Sequence, residues 1–191
     1  LADAAAVDRM VNETVATFGA IDILVNNAGV YQTHPLDNTD FTTWQAAWQD
    51  TIAVNLMGSV HTAYCVARHM ISRRQGRIIN ITSRGAFRGE PTAPAYAASK
   101  AGLNAFSQSI AQHLAPHGIS VMAVAPGWVE TDMARSSLDS PAGDAIRAQS
   151  GFNRVARPEE IAHTVLFLAS SQAEFLTGAI VDVNGASYLR S

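Results

Sequence analysis

Ile21-Asp22-Ile23-Leu24-Val25-Asn26-Asn27-Ala28-Gly29 is an apolar run that stops on small and polar residues. Its β-branched and aliphatic half, Ile21–Val25, predicts a short buried strand, and Asn26–Gly29 predicts a turn at that strand's C-terminal end. The same arrangement recurs downstream. Arg77–Thr82 predicts a second strand, followed at once by Ser83, and Ile119–Ala125 predicts a third, stopped by Pro126-Gly127. Ala179–Val183 predicts a last short strand before the Asn184-Gly185 turn.

Helical patterns fill the intervals. Residues 2–18 place Val7, Met10, Val11 and Val15 on one face and end at Gly19. Further helices are expected at Trp44–Asp50, at about 52–72 with Gly76 as the breaker, and at about 95–114. Ser83–Pro94 reads as a loop, and Trp128–Ser150 as a loop with a short helix. Pro158-Glu159-Glu160 opens another helix, with proline early and acids in the first turn. Strands separated by helices of this length require parallel crossovers. The expected fold is therefore α/β: a doubly wound, Rossmann-type parallel sheet, with residues 1–191 forming one domain.

Composition narrows the function classes. The net charge of −3 leaves no basic footprint for nucleic acid, and Arg73, Arg74 and Arg77 form only a short cluster. Charged residues make up only 15% of the chain, which suggests extensive burial in a core or against partner subunits. A single cysteine, Cys65, excludes an internal disulfide and reads as a small core residue. No metal-ligand spacing stands out, no apolar run has the length of a membrane span, and no signal peptide is visible. A cytoplasmic protein is expected.

Ligands of open parallel sheets bind beyond the C-terminal strand ends. Three such ends here are chemically marked: Asn26–Gly29, Ser83, and Pro126-Gly127-Trp128-Val129-Glu130-Thr131. Tyr96-Ala97-Ala98-Ser99-Lys100 adds a phenol and an ammonium one helical turn apart, on one face. A tyrosine of ordinary pKa, about 10, is a poor acid or base at neutral pH. A neighbouring cation would lower that pKa and make the phenol a proton donor or acceptor.

Taken in order, Asn26-Asn27-Ala28-Gly29, Asn55, Ser83, Tyr96 with Lys100, and Pro126-Gly127 with Thr131 make the chain resemble the short-chain dehydrogenase/reductase family over almost its whole length. The spacings agree, including 13 residues from Ser83 to Tyr96 and 30 from Tyr96 to Pro126. The resemblance implies hydride transfer between NAD or NADP and a carbonyl or secondary-alcohol substrate. Tyr96 would be the acid or base, Ser83 would orient the substrate oxygen, and Lys100 would lower the Tyr96 pKa and bind the nicotinamide ribose. Asn55 would hold a water in a proton relay. Asn26, Ala28 and Gly29 would line the adenosine side of the cofactor, with Pro126, Gly127, Val129 and Thr131 near the nicotinamide. Candidate substrate-pocket residues are Gly85, Phe87, Trp128 and Met133. Arg84 and Arg88, beside Ser83, read either as anion readers or as part of a solvated loop. Within the family the pattern is most similar to 3-oxoacyl-acyl-carrier-protein reductases. Arg74 falls on one of their two carrier-docking positions, and His117 replaces the other. A homodimer or homotetramer through helices near 52–72 and 95–115 is implied, with Ala97, Ala101, Ala105, Ile110 and Leu114 on the buried face.

The family's opening Thr-Gly-x-x-x-Gly-x-Gly turn, which supports the cofactor pyrophosphate at a helix N-terminus, is not found among the 13 glycines. The chain is expected to supply strands four to seven of a seven-stranded sheet and to lack an N-terminal Gly-rich βαβ portion of roughly 60 residues. A chain starting at Leu1 is expected to bind cofactor weakly or not at all. The alternative to an active oxidoreductase is a catalytically impaired relative that serves in assembly or binding.

Overall fold

The computed structural model describes residues 2–190. Asp3 caps the first helix, α1 (Ala4–Phe18), by accepting from the Ala5 and Ala6 amides, and Gly19 ends it in the left-handed conformation (φ 82°). Val7 and Val11 are buried, whereas Met10 of the same expected face is exposed. Strand β1 (Ile23–Asn26) follows. Next comes a continuous helical run: α2 (Phe41–Ile52), a π-helical turn (Ala53–Gly58) and α3 (Ser59–Arg73). This replaces the two separate helices expected near 44–50 and 52–72. The run ends at Arg74, in the left-handed region with φ 52°, rather than at Gly76. Gly76 has a different constraint: a Cβ there would stand 2.3 Å from Met70 Sδ.

Strand β2 (Gly76–Ile81) leads through a one-turn helix, α4 (Gly85–Arg88), to the 21-residue α5 (Pro94–Leu114). Then come β3 (Ile119–Pro126), two short helices α6 (Asp132–Leu138) and α7 (Gly143–Arg147), α8 (Pro158–Leu168) and β4 (Ile180–Val183). The four described strands form one parallel sheet in the order β1-β2-β3-β4.

Period-two alternation sends side chains to both faces. Ile78 and Val121 join α1, α3 and α5 in one core. Ile79, Met122 and Val124 pack under Leu168 of α8 in the other. Every residue of β3 is buried, as expected of a strand covered on both sides. The edge strand β1 differs from the buried strand expected. Ile23 and Val25 remain 45% and 40% exposed, whereas Leu24 between them packs against the first core. Cys65 is only half-buried, packed against the first core, with its thiol 3.8 Å from Asp8 Oδ1.

Candidate active site

Parallel strands all end on one side of the sheet, so the residues after β1, β2 and β3 converge there. The π turn brings Asn55 to the same place. Its Oδ1 accepts from the Val30 amide (2.8 Å), and its Nδ2 donates to the Val30 carbonyl (3.0 Å) and to Ser99 Oγ (3.2 Å). A mid-helix asparagine is poor for α-helix, but this one is fully buried and clamps the segment after β1 to the helical run. Single π turns of this kind recur at functional sites.

Tyr96 and Lys100 lie one turn apart on α5. The Lys100 ammonium is buried and donates to the Ile81 carbonyl at the end of β2 (2.8 Å). It stands 5.8 Å from the centre of the Tyr96 ring. Tyr31 meets that ring edge-on, with centroids 5.0 Å apart. Gly29 completes the enclosure: a Cβ there would lie 3.4 Å from Asn55 Oδ1 and 3.5 Å from Lys100 Nζ. Ser83 is buried at the end of β2, and its Oγ accepts from the Gly85 amide (3.0 Å). Asn55, Ser83, Tyr96, Lys100 and Gly29 are thus gathered at one strand-end cluster.

Electrostatics depart from expectation in one respect. Burial raises the Tyr96 pKa above 10.0, contact with the Ser83 hydroxyl opposes the rise, and the Glu90 carboxylate and Tyr31 add to it. Burial outweighs any lowering by Lys100. Burial also pushes the Lys100 ammonium down to about 8, and its hydrogen bond goes to the Ile81 carbonyl. Glu90 pairs with Arg88 at 3.6 Å, and its carboxylate lies over Gly85, where a Cβ would come within 2.6 Å of Oε1.

Other expected residues have different surroundings. The side chain of Asn26 is engaged inside the protein: it accepts from Thr62 Oγ1 (2.6 Å) and donates to Asn80 Oδ1 (2.8 Å), and Asn80 donates to Ser107 Oγ (2.8 Å). Ala28 is exposed beside it. Gly127 packs closely on a protein neighbour, since a Cβ would stand 3.1 Å from Asn184 Cα and Cβ. Val129 pairs with Ala156 in an isolated parallel bridge, and Thr131 is exposed, its hydroxyl 3.5 Å from the Val129 carbonyl.

The four substrate-pocket candidates have different surroundings. Gly85 is packed by Glu90, Phe87 lies under the Arg190 guanidinium at 4.4 Å, Met133 is 53% exposed, and Trp128 lines a cavity with Arg84. Arg84 is buried, which excludes a solvated-loop reading for it, while Arg88 is exposed. Leu114 belongs to the core and not to an outer helix face. Arg74 does adjoin the His117 turn, donating to the Pro116 carbonyl (2.9 Å).

Sequence reasoning missed Tyr31, Glu90 and His34. His34 is buried, accepts from the Ala95 amide at Nε2 (3.3 Å) and faces the Gln32 carbonyl through Nδ1 (3.0 Å), fastening the loop after β1 to the start of α5. Only its proximity to the Asn-Asn-Ala-Gly turn could have singled it out. No cluster of three or more metal-ligating side chains occurs among the described residues, and no described helix is long and apolar enough to cross a membrane.

A Rossmann-type parallel sheet with a Ser–Tyr–Lys–Asn cluster beyond its strand ends defines a dehydrogenase-like α/β domain. Comparison with known proteins agrees. Residues 1–186 match the family described as Enoyl-(Acyl carrier protein) reductase. The chain is 42% identical over 188 residues to the 3-oxoacyl-[acyl-carrier-protein] reductase of Escherichia coli, covering 98% of this chain and 75% of that one. It is 38% identical over 183 residues to the Staphylococcus epidermidis enzyme of the same name, covering 96% and 73%. Among solved structures, a gluconate 5-dehydrogenase from Burkholderia cenocepacia in complex with NADP and tartrate superposes with a TM-score of 0.91 at 35% identity, covering 98% of this chain and 73% of that one. ElxO with NADP bound gives 0.89 at 28% identity, covering 97% and 75%. The chain belongs to the short-chain dehydrogenase/reductase family.

Proposed function

We propose that the protein is an NAD(P)-dependent oxidoreductase that interconverts a carbonyl and a secondary alcohol, with Tyr96 as the acid or base. The observation that carries this reading is the convergence of Ser83, Tyr96 and Lys100 around the Gly29–Asn55 contact. Its relatives support it by the reductase activity in their names and by the NADP bound in two structural neighbours.

The residues present fit the nicotinamide half of such a cofactor. Lys100 Nζ has three N–H donors and gives one to Ile81, leaving two for vicinal ribose hydroxyls. Gly29, lacking a Cβ, adds no bulk against Asn55 and Lys100. The cofactor, when bound, supplies or accepts the hydride. Ser83 holds the substrate oxygen beside Tyr96, and in reduction the phenol gives that oxygen its proton. In oxidation the phenolate removes it. Lys100, with a pKa near 8, can take up or release a proton at neutral pH. The Asn55 side chain is occupied by Val30 and Ser99, and its main-chain carbonyl accepts from Ser59 Oγ (3.3 Å).

We infer also that the exposed faces of α3 and α5 join copies of the chain into a dimer or tetramer. Tyr64 and Ala105 are exposed there, and Ala97 and Ala101 are half-buried.

Oxidation of NADH and NADPH with a panel of ketones, wild type against Tyr96→Phe, tests the chemistry. The substitution is expected to lower kcat by about 10²- to 10⁴-fold. Activity that survives it would overturn the assignment.

A further inference from the structure

Arg84 directly follows Ser83 but takes no part in the Tyr96 cluster. It is 3% exposed. Its Nη2 donates to Gln149 Oε1, and no carboxylate lies within ion-pair distance of it among the described residues. Glu90 is the acid whose field reaches it, and that acid is paired with Arg88, whose own charge works against Arg84. Burying a cation without a counter-charge costs several kcal/mol. The other guanidinium nitrogens, Nε and Nη1, make no hydrogen bond with the protein, yet they are not sealed in.

Arg84 lines a cavity of about 290 Å³ whose wall also includes Trp128, Gln149, Ser150 and Ser187. The Ser187 hydroxyl is buried there without a partner. Two acids also line the wall, but both are neutralised: Glu160 by two 2.7 Å bonds from Arg154, and Asp182 by Arg190 at 2.7 Å. The uncompensated charge of the cavity is therefore that of Arg84. None of Asn55, Ser83, Tyr96 or Lys100 lines it.

We propose that this cavity is a binding site for a small oxyanion, a carboxylate or a phosphate, held by the free edge of the Arg84 guanidinium and by the Ser187 hydroxyl. A planar fork of N–H donors matches the paired oxygens of such a group. The site is separate from the catalytic cluster, so it stands or falls independently of the activity.

The test is a titration of the intact protein with inorganic phosphate and, separately, with malonate, against sodium chloride at matched ionic strength. Binding is followed by tryptophan fluorescence and by melting temperature. Saturable binding of either oxyanion is expected, with affinity reduced about 10-fold or more in Arg84→Gln, the loss of one charge-assisted contact. Malonate or phosphate preference then assigns the carboxylate or phosphate class. Trp128→Phe should abolish the fluorescence change and keep the melting shift. If Arg84→Gln does not fold, Ser187→Ala decides, with binding weakened severalfold. No saturation above chloride, or equal affinity in the substituted proteins, would overturn the proposal.

Discussion

Lys100 shows what the cluster costs the fold. Its ordinary pKa of 10.5 falls to about 8 through burial. Between these values the unfolded chain binds more protons than the folded one, so the stability contributed by this residue rises with pH through that window. Below about pH 8 the folded state carries the full penalty, on the order of 3 kcal/mol. Lys100→Met is therefore expected to unfold at higher urea than wild type at pH 7, by about 1–3 kcal/mol, with the gap closing by pH 10, while losing activity. A Met variant less stable than wild type at pH 7 would contradict this. Glu90 makes a second residue-level prediction. Its carboxylate helps to raise the Tyr96 pKa. In the proposed reaction alcohol oxidation needs the Tyr96 phenolate, so Glu90→Gln should move the acid limb of the rate profile to lower pH. A limb that stays in place, or moves to higher pH, would remove Glu90 from the site's electrostatics.

At the level of elements, the strands and helices were legible because hydrophobic period and turn residues report local structure directly. Ile119–Pro126 and Pro94–Leu114 fall within a residue of expectation for that reason. The π turn was not legible. It is a slip in backbone hydrogen bonding held by a contact between Asn55 and Val30, 25 positions apart. Likewise, the strand-end cluster was readable as an ordered set of residues, whereas the influence of Glu90 and the burial of Arg84 arise from how a loop packs. Asn80 offered a partial signal, as one amide inside an apolar strand. Asn55→Ala leaves the Val30 N–H and C=O without partners, at a cost of about 1–3 kcal/mol. The Val30 amide should then exchange hydrogen far faster in a native-state experiment. Unchanged protection at Val30 would show that the clamp does not hold the segment.

For the whole molecule, the low charge content of 15% leaves many large side chains in contact with solvent. Some stand singly, which is ordinary for a soluble surface. Tyr64 is 63% exposed, on the middle of a helix whose other face is fully packed by Ala63, Val66, Ala67 and Met70. An exposed aromatic side chain on the outer face of a long helix has the make-up of an interface centre. Such an interface between copies is isologous, so each copy contributes the same residue twice and one substitution is felt on both sides of the axis. Tyr64→Glu places two like charges near that axis and should convert a dimer or tetramer to smaller species without altering the far-ultraviolet circular dichroism. Light scattering coupled to gel filtration reads this directly. Wild type running at a single chain mass at micromolar concentration, or a Tyr64→Glu protein assembling as wild type does, would exclude this face as the one that joins the copies.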